Sequence, residues 1–119
     1  MATIAAVYTR VLGDMSGNED NRSSIQVMKC REFCRQNAYS IKDEFIFIET
    51  IPSVGSDGNR PVYDAMMKLA YSDPSPFKAI IVLELIRFMR DRDIRDQTKE
   101  RLLVHGVKLV SIKDGARIF

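Results

Sequence analysis

Residues 79–83 read AIIVL, five apolar residues in a row with no charge to expose on either side. A β-branched run of this length, set off by the turn SDPSP at 72–76, predicts a strand buried on both faces, the central strand of a sheet. Three other segments share its composition: TIAAVYT at 3–9, IKDEFIFIE at 41–49 and VKLVSI at 107–112. The intervening segments read as helices. Residues 23–37 put Val27, Cys30 and Cys34 on one face, with Ser23 and Gln26 at capping-box spacing. Asn59 is set to cap a second helix, which has Pro61 in its first turn and Val62, Ala65, Met66, Leu69 and Ala70 at helical spacing. The charged segment 93–104 carries Ile94, Leu102 and Leu103, and Gly106 is placed to end it.

Strand and helix therefore alternate through the chain. Right-handed crossovers then lay helices over both faces of a parallel sheet. The expected architecture is an α/β three-layer sandwich with a mostly parallel sheet of four or five strands. No repeat, low-complexity tract or internal boundary interrupts it, so residues 1–119 read as one domain.

Composition narrows the function. Hydrophobic residues make up 45% and charged residues 29% of the chain, with a net charge of +2, which is ordinary globular usage and too mild to imply nucleic-acid binding by itself. The two cysteines, Cys30 and Cys34, stack one helical turn apart and read as reduced core residues; a metal pair needs further ligands, and His105 is the single histidine. No metal or other cofactor is expected. The apolar runs fall far short of the roughly 20 residues a membrane span needs, and MATIAAVYTR lacks a signal peptide's basic start and cleavage site. A soluble, cytoplasmic protein without membrane contact is expected.

In an open parallel sheet, ligands bind beyond the carboxyl ends of the strands. Arg10 follows the first strand; IPSVGSDGNR, with Ser53, Ser56 and Arg60, follows the second; LIRFMRDR, with Arg87 and Arg90, follows the third. Arginines gathered there repel one another unless an anion joins them, and their planar forks suit phosphate oxygens. The competing reading is plain surface chemistry: Arg10 pairing with Glu49 or Asp14, Arg87 and Arg90 solvated beside Asp91 and Asp93, and Gln26 and Arg60 serving only their helix starts. Neither a Walker loop nor GxGxxG occurs.

Four motifs, in order, give the chain a resemblance. YTRV at 8–11 is similar to the YxRVS opening of the serine recombinase catalytic domain, the domain of resolvases, invertases and large serine integrases. SSIQ at 23–26 resembles that family's serine-and-glutamine helix start, NRP at 59–61 its RP helix start, and VLELIRFMRD at 82–91 its VxKLDRLxRD. The resemblance implies a resolvase-like fold and cutting and rejoining of DNA by a serine that attacks the backbone phosphate, without metal, in dimers and tetramers. It assigns Arg10, Arg60, Arg87 and Arg90 to the phosphate and Gln26 to the polar helix-start position. It also implies an oligomerisation helix and a DNA-binding domain outside residues 1–119, hence weak DNA binding and weak self-association for this stretch alone.

The chain departs from the family at two points. Leu12 stands at the nucleophile position and has no lone pair to attack phosphorus, and Ile86 replaces the aspartate of LDR. Glu49 or Thr50 is the candidate for the acidic residue after the second strand, and Ser53 for the serine there. Three readings follow: a recombinase domain that assembles and touches DNA without cutting; an active enzyme using Ser16, Ser23 or Ser24, or one altered at position 12 by cloning; and a domain re-used for protein contacts.

Overall fold

The computed structural model describes residues 3–12, 19–51, 60–113 and 117–118, with the backbone alone at 11–12, 19–24, 51, 87 and 117–118. The chain runs β1 (Thr3–Leu12), α1 (Glu19–Gln36), β2 (Tyr39–Ile51), α2 (Pro61–Ala70), β3 (Ala79–Val82), α3 (Leu85–Phe88), α4 (Arg92–Val104), β4 (Lys108–Ser111) and β5 (Arg117–Ile118). The strands form one sheet in the order β2-β1-β3-β4-β5. The first four are parallel, and β5 runs antiparallel to β4. AIIVL supplies β3, which lies between β1 and β4 with all four strand residues buried.

Period-two alternation splits the apolar residues between two cores. On one face Ala5, Val7, Ala79, Ile81 and Val110 meet Cys30 and Cys34 of α1. On the other, Ala6, Tyr8, Ile80, Val82 and Leu109 meet Met66, Met67 and Ala70 of α2 and Leu102 of α4. Burying each Val, Ile or Leu side chain stabilises the fold by ~1.5–3 kcal/mol, and these facing residues explain why the β-branched runs become interior strands. The sandwich read from the alternation is the one observed.

Several boundaries differ from expectation. α1 starts at Glu19, four residues before Ser23, so Ser23 and Gln26 lie inside the helix and the capping-box spacing does not mark its beginning. Acidic residues at 19 and 20 suit a first helical turn, where unsatisfied N–H groups favour negative charge. β2 is longer than 41–49 and bulged: its pairing jumps from Ala5↔Ile41 to Val7↔Ile46. The exposed Lys42, Asp43 and Glu44 sit in the jump, on an edge strand where charge and a bulge discourage pairing with other chains. The expected cap Asn59 falls outside the described residues, and Arg60 occupies the N-cap position of α2 without a side-chain capping bond. The four-residue α3 is too short to leave a periodicity. Gly106, at φ +76, closes α4 as expected.

Among the described residues no helix is long and apolar enough to cross a membrane, and no group of three or more His, Cys, Asp or Glu side chains could hold a metal ion.

Candidate active site

The chain leaves β1 toward β2 on one side and, after crossing back, continues with β3 on the other. This reversal opens a crevice at the carboxyl ends of β1 and β3, the usual ligand position in an open α/β sheet. Arg10 lies there, two residues beyond the last β1–β3 pair, Tyr8↔Val82, and is only 6% exposed. Across β2 it pairs in register with Glu49, and Leu12 with Ile51 at the strand's end. From β3 the chain passes through Leu83 and Glu84 into α3, which packs against β1.

A buried polar network backs this crevice. Pro61 opens α2 with a residue that has no N–H to satisfy, but the N–H groups of Val62 and Tyr63 need acceptors, and the side chain of the N-cap residue Arg60 offers none. Glu49 supplies them from β2: its carboxylate accepts from Tyr63 N at 2.8 Å, from Val62 N at 3.2 Å and from the Tyr8 hydroxyl at 3.2 Å. The Tyr8 hydroxyl in turn accepts from Arg60 Nη2 at 2.9 Å. It thus donates to an anion and accepts from a cation. Burial is the main reason its pKa is pushed up to about 12, with Arg60 opposing and Glu49 adding to the rise. Tyr8 is 1% exposed, so its hydroxyl is neither reachable nor ionised as a nucleophile near neutral pH.

Arg60 reaches further. Its Nη2 also donates to the Phe88 carbonyl at 2.6 Å. Its guanidinium carbon lies 4.0 Å from the Tyr63 ring centroid and 5.4 Å from that of Tyr8, a desolvated cation–π arrangement. The Phe88 ring meets Tyr63 and Tyr8 edge-on at 5.4 and 6.4 Å.

The segment after Phe88 is tied at successive points. Met89 N donates to Leu85 O at 3.0 Å, Arg95 Nη1 donates to Met89 O at 3.1 Å, and Asp91 caps α4 by accepting from Ile94 N at 3.0 Å. Beside it, a cavity of about 350 Å³ opens between α2 and α4, lined by Arg60, Tyr63, Asp64, Met89, Arg90 and Ile94 among others. Arg90 is exposed at its mouth.

Of the residues singled out in the sequence, the structure brings Arg60 and Arg90 to one cavity. Arg10 stands on β1, and Arg87 on α3 with its side chain outside the description. Gln26 is buried in α1, and its Oε1 has no hydrogen-bond partner among the described residues; the same holds for Thr9 Oγ1 and Arg60 Nε. Buried polar atoms left in this way are costly and concentrate at functional sites. Leu12 is described only as the last residue of β1. Ser16, Ser53, Ser56 and Asp14 lie outside the described residues, while Ser23 and Ser24 appear as backbone within α1. Sequence reasoning missed the tie between Tyr8, Glu49 and Arg60. Its one signal was a glutamate ending an otherwise apolar strand.

Residues 5–118 match the protein family described as resolvase, N-terminal domain. The chain belongs to this family. Solved structures resemble the resolvase-family domain over nearly its whole length. The C-terminal catalytic domain of ISC1926 TnpA, an IS607-like serine recombinase, matches at TM-score 0.69 and 18% identity, covering 93% of this chain and 70% of that one. The N-terminal catalytic domain of TP901-1 integrase matches at TM-score 0.72 and 14% identity, with coverages of 97% and 80%. A resolvase family site-specific recombinase from Streptococcus pneumoniae matches at TM-score 0.71 and 21% identity, with coverages of 95% and 74%. At these identities the likeness speaks for the fold. No curated protein matches the chain. The resolvase fold stands at the C-terminal end of one of these proteins and the N-terminal end of another, so the fold does not dictate where its companion domains attach.

Proposed function

We propose that this domain is the catalytic-type domain of a serine site-specific DNA recombinase that holds the DNA backbone but does not cut it. The observation carrying this reading is the family match over residues 5–118 together with a leucine at position 12, where the family's YxRVS motif has its serine. Leucine offers no nucleophilic atom and nothing for a base to activate. Ile86, at the position of the family's aspartate, removes a second polar group and is 55% exposed.

The phosphate-holding role belongs to Arg10, Arg87 and Arg90, with Arg60 behind them, and the family resemblance gives Gln26 and Ser53 polar roles. Support comes from the crevice at the strand-order reversal, from the burial of Arg10, and from the fixed segment that carries Arg90. Preorganised guanidinium groups stabilise charge building on a phosphate without reorganising; with leucine at position 12 that capacity is left for binding. The full protein's partners are DNA and further copies of itself, and residues 1–119 contribute the catalytic-type unit, with the oligomerisation helix and DNA-binding domain as separate parts. Alone, the unit binds DNA weakly and self-associates weakly.

Covalent trapping on a library of nicked duplexes tests the non-cutting part: no protein–DNA adduct is expected, and an adduct on Ser16, Ser23, Ser24 or Ser53 overturns it. Fluorescence anisotropy with a short duplex tests the rest. Affinity should fall with salt and with Arg87→Ala, and binding indifferent to both would leave a protein-contact domain as the better reading.

A further inference from the structure

The geometry points to Arg60 as a positioning residue, which fixes the segment bearing Arg87 and Arg90 and does not itself hold phosphate. This rests on the phosphate-holding role proposed above for those two arginines and gives the fourth arginine a different task.

The argument starts from what Arg60 already does. Its Nη2 is shared between the Tyr8 hydroxyl and the Phe88 carbonyl, one face of its guanidinium lies against Tyr63, and it is 6% exposed. A phosphate approaching it must displace or share these contacts, and dehydrate without the compensation that a solvent-facing fork would offer. Between Arg87 and Arg90 lie Phe88, the last residue of α3, and Met89, in which the turn toward α4 begins. The Phe88 carbonyl is held by Arg60 and the next one by Arg95, so two arginines grip consecutive peptide groups of this turn. Arg60 is itself anchored through Tyr8 to Glu49, whose carboxylate caps α2 immediately after Arg60. The chain of contacts therefore runs from β2 through β1, one wall of the crevice, to the backbone that carries the phosphate-holding side chains. A lysine could carry the charge of Arg60 but lacks the planar guanidinium that lies against the Tyr63 ring while one of its nitrogens bonds the hydroxyl and the carbonyl.

Amide hydrogen exchange on the free domain reads the positioning role without DNA. In Arg60→Lys the Met89 amide, which closes α3 on Leu85, should exchange faster by on the order of ten-fold or more, while amides of β3 and β4 keep their protection. Tyr8→Phe, which removes only a buried hydroxyl and cannot touch DNA, should accelerate the same amide to a smaller degree; it decides the matter if Arg60→Lys does not fold. Ile81→Val, a mild core change on the opposite face, should not single out Met89. The salt dependence of binding to a short duplex provides the second arm. Arg60→Gln should weaken binding with the slope of log affinity against log salt unchanged, whereas Arg90→Ala should lower the slope by about one.

Unchanged Met89 exchange in the variants, or a slope that falls by about one in Arg60→Gln, overturns the positioning role. A slope unmoved by Arg90→Ala instead overturns the phosphate-holding reading, and the exchange result still decides what Arg60 does.

Discussion

Glu49 and Tyr63 are joined by a 2.8 Å hydrogen bond in which a carboxylate of β2 accepts a backbone N–H from the first turn of α2. The helix is thus capped by a different element, and the same carboxylate receives Val62 N and the Tyr8 hydroxyl. Glu49→Ala removes the acceptor of two partly buried N–H groups and of a buried hydroxyl together. It should lower the unfolding free energy by about 2–4 kcal/mol. Glu49→Gln, which keeps an acceptor oxygen, should cost less than Glu49→Ala. Urea unfolding followed by circular dichroism measures both, and an alanine effect below about 0.5 kcal/mol contradicts the capping role.

Alkaline pH should destabilise the domain. Burial pushes Tyr8 up to about 12 from an ordinary 10.0. It also pushes Cys30 up to about 12, with Cys34 adding to the rise, and Cys34 to about 11 against the opposing pull of Arg31, both from 9.0. A raised pKa means the folded state keeps its proton where the unfolded state has lost it. The contribution is therefore fully present below the unfolded value and is lost as pH rises toward the folded one. Stability should hold up to about pH 9 and fall through pH 12, with Tyr8 joining the cysteines above about pH 10. Urea midpoints measured across this range should fall less steeply above pH 10 in Tyr8→Phe. An identical fall in that variant would remove Tyr8 from the account.

The cysteines should be silent in the native domain. Cys30 is 0% and Cys34 2% exposed, and both thiols are held protonated by burial, whereas the thiolate is the reactive form. A thiol reagent at pH 8 should modify both only at the rate of unfolding, and its rate should rise in step with urea. Rapid labelling of the native protein at either position would mean that α1 does not sit on the β1–β3 face as described.

What the sequence made legible and what it hid divide by distance along the chain. AIIVL and TIAAVYT declare themselves because burial on both faces requires every residue in a short run to be apolar, a condition that neighbouring letters alone can reveal. Cys30 and Cys34 likewise show their common face through a spacing of four. Arg10, read as following the first strand, lies within it, because β1 runs on to Leu12. The Glu49 cap could not be read from the sequence, since its partners lie 13 and 14 residues away, nor could the bond from Arg60 to Phe88 across 28 residues. Ser23 and Gln26 misled for the opposite reason: a local capping pattern recurs by chance inside a helix that begins earlier, and nothing local distinguishes the two cases.

Leu12→Ser should restore the atom that phosphoryl transfer needs at the end of β1. If the arginine site is otherwise intact, the variant should form a covalent protein–DNA adduct on nicked duplexes where the parent forms none. The yield should be low, because Ile86 still occupies the position of the family's aspartate. Adding Ile86→Asp tests this directly. Ile86 is 55% exposed, so the change removes little buried apolar surface and should alter stability by no more than about 0.5 kcal/mol, which keeps a gain in adduct from being confused with a change in folding. The double variant should therefore exceed Leu12→Ser in adduct yield at equal stability, with the bond located on residue 12 by mass spectrometry. The measurement uses a pool of duplex sequences and scores any adduct. A double variant that folds, binds the pool and still forms no adduct would mean that the loss of cutting lies deeper than these two side chains, in how the arginines are arranged around the phosphate.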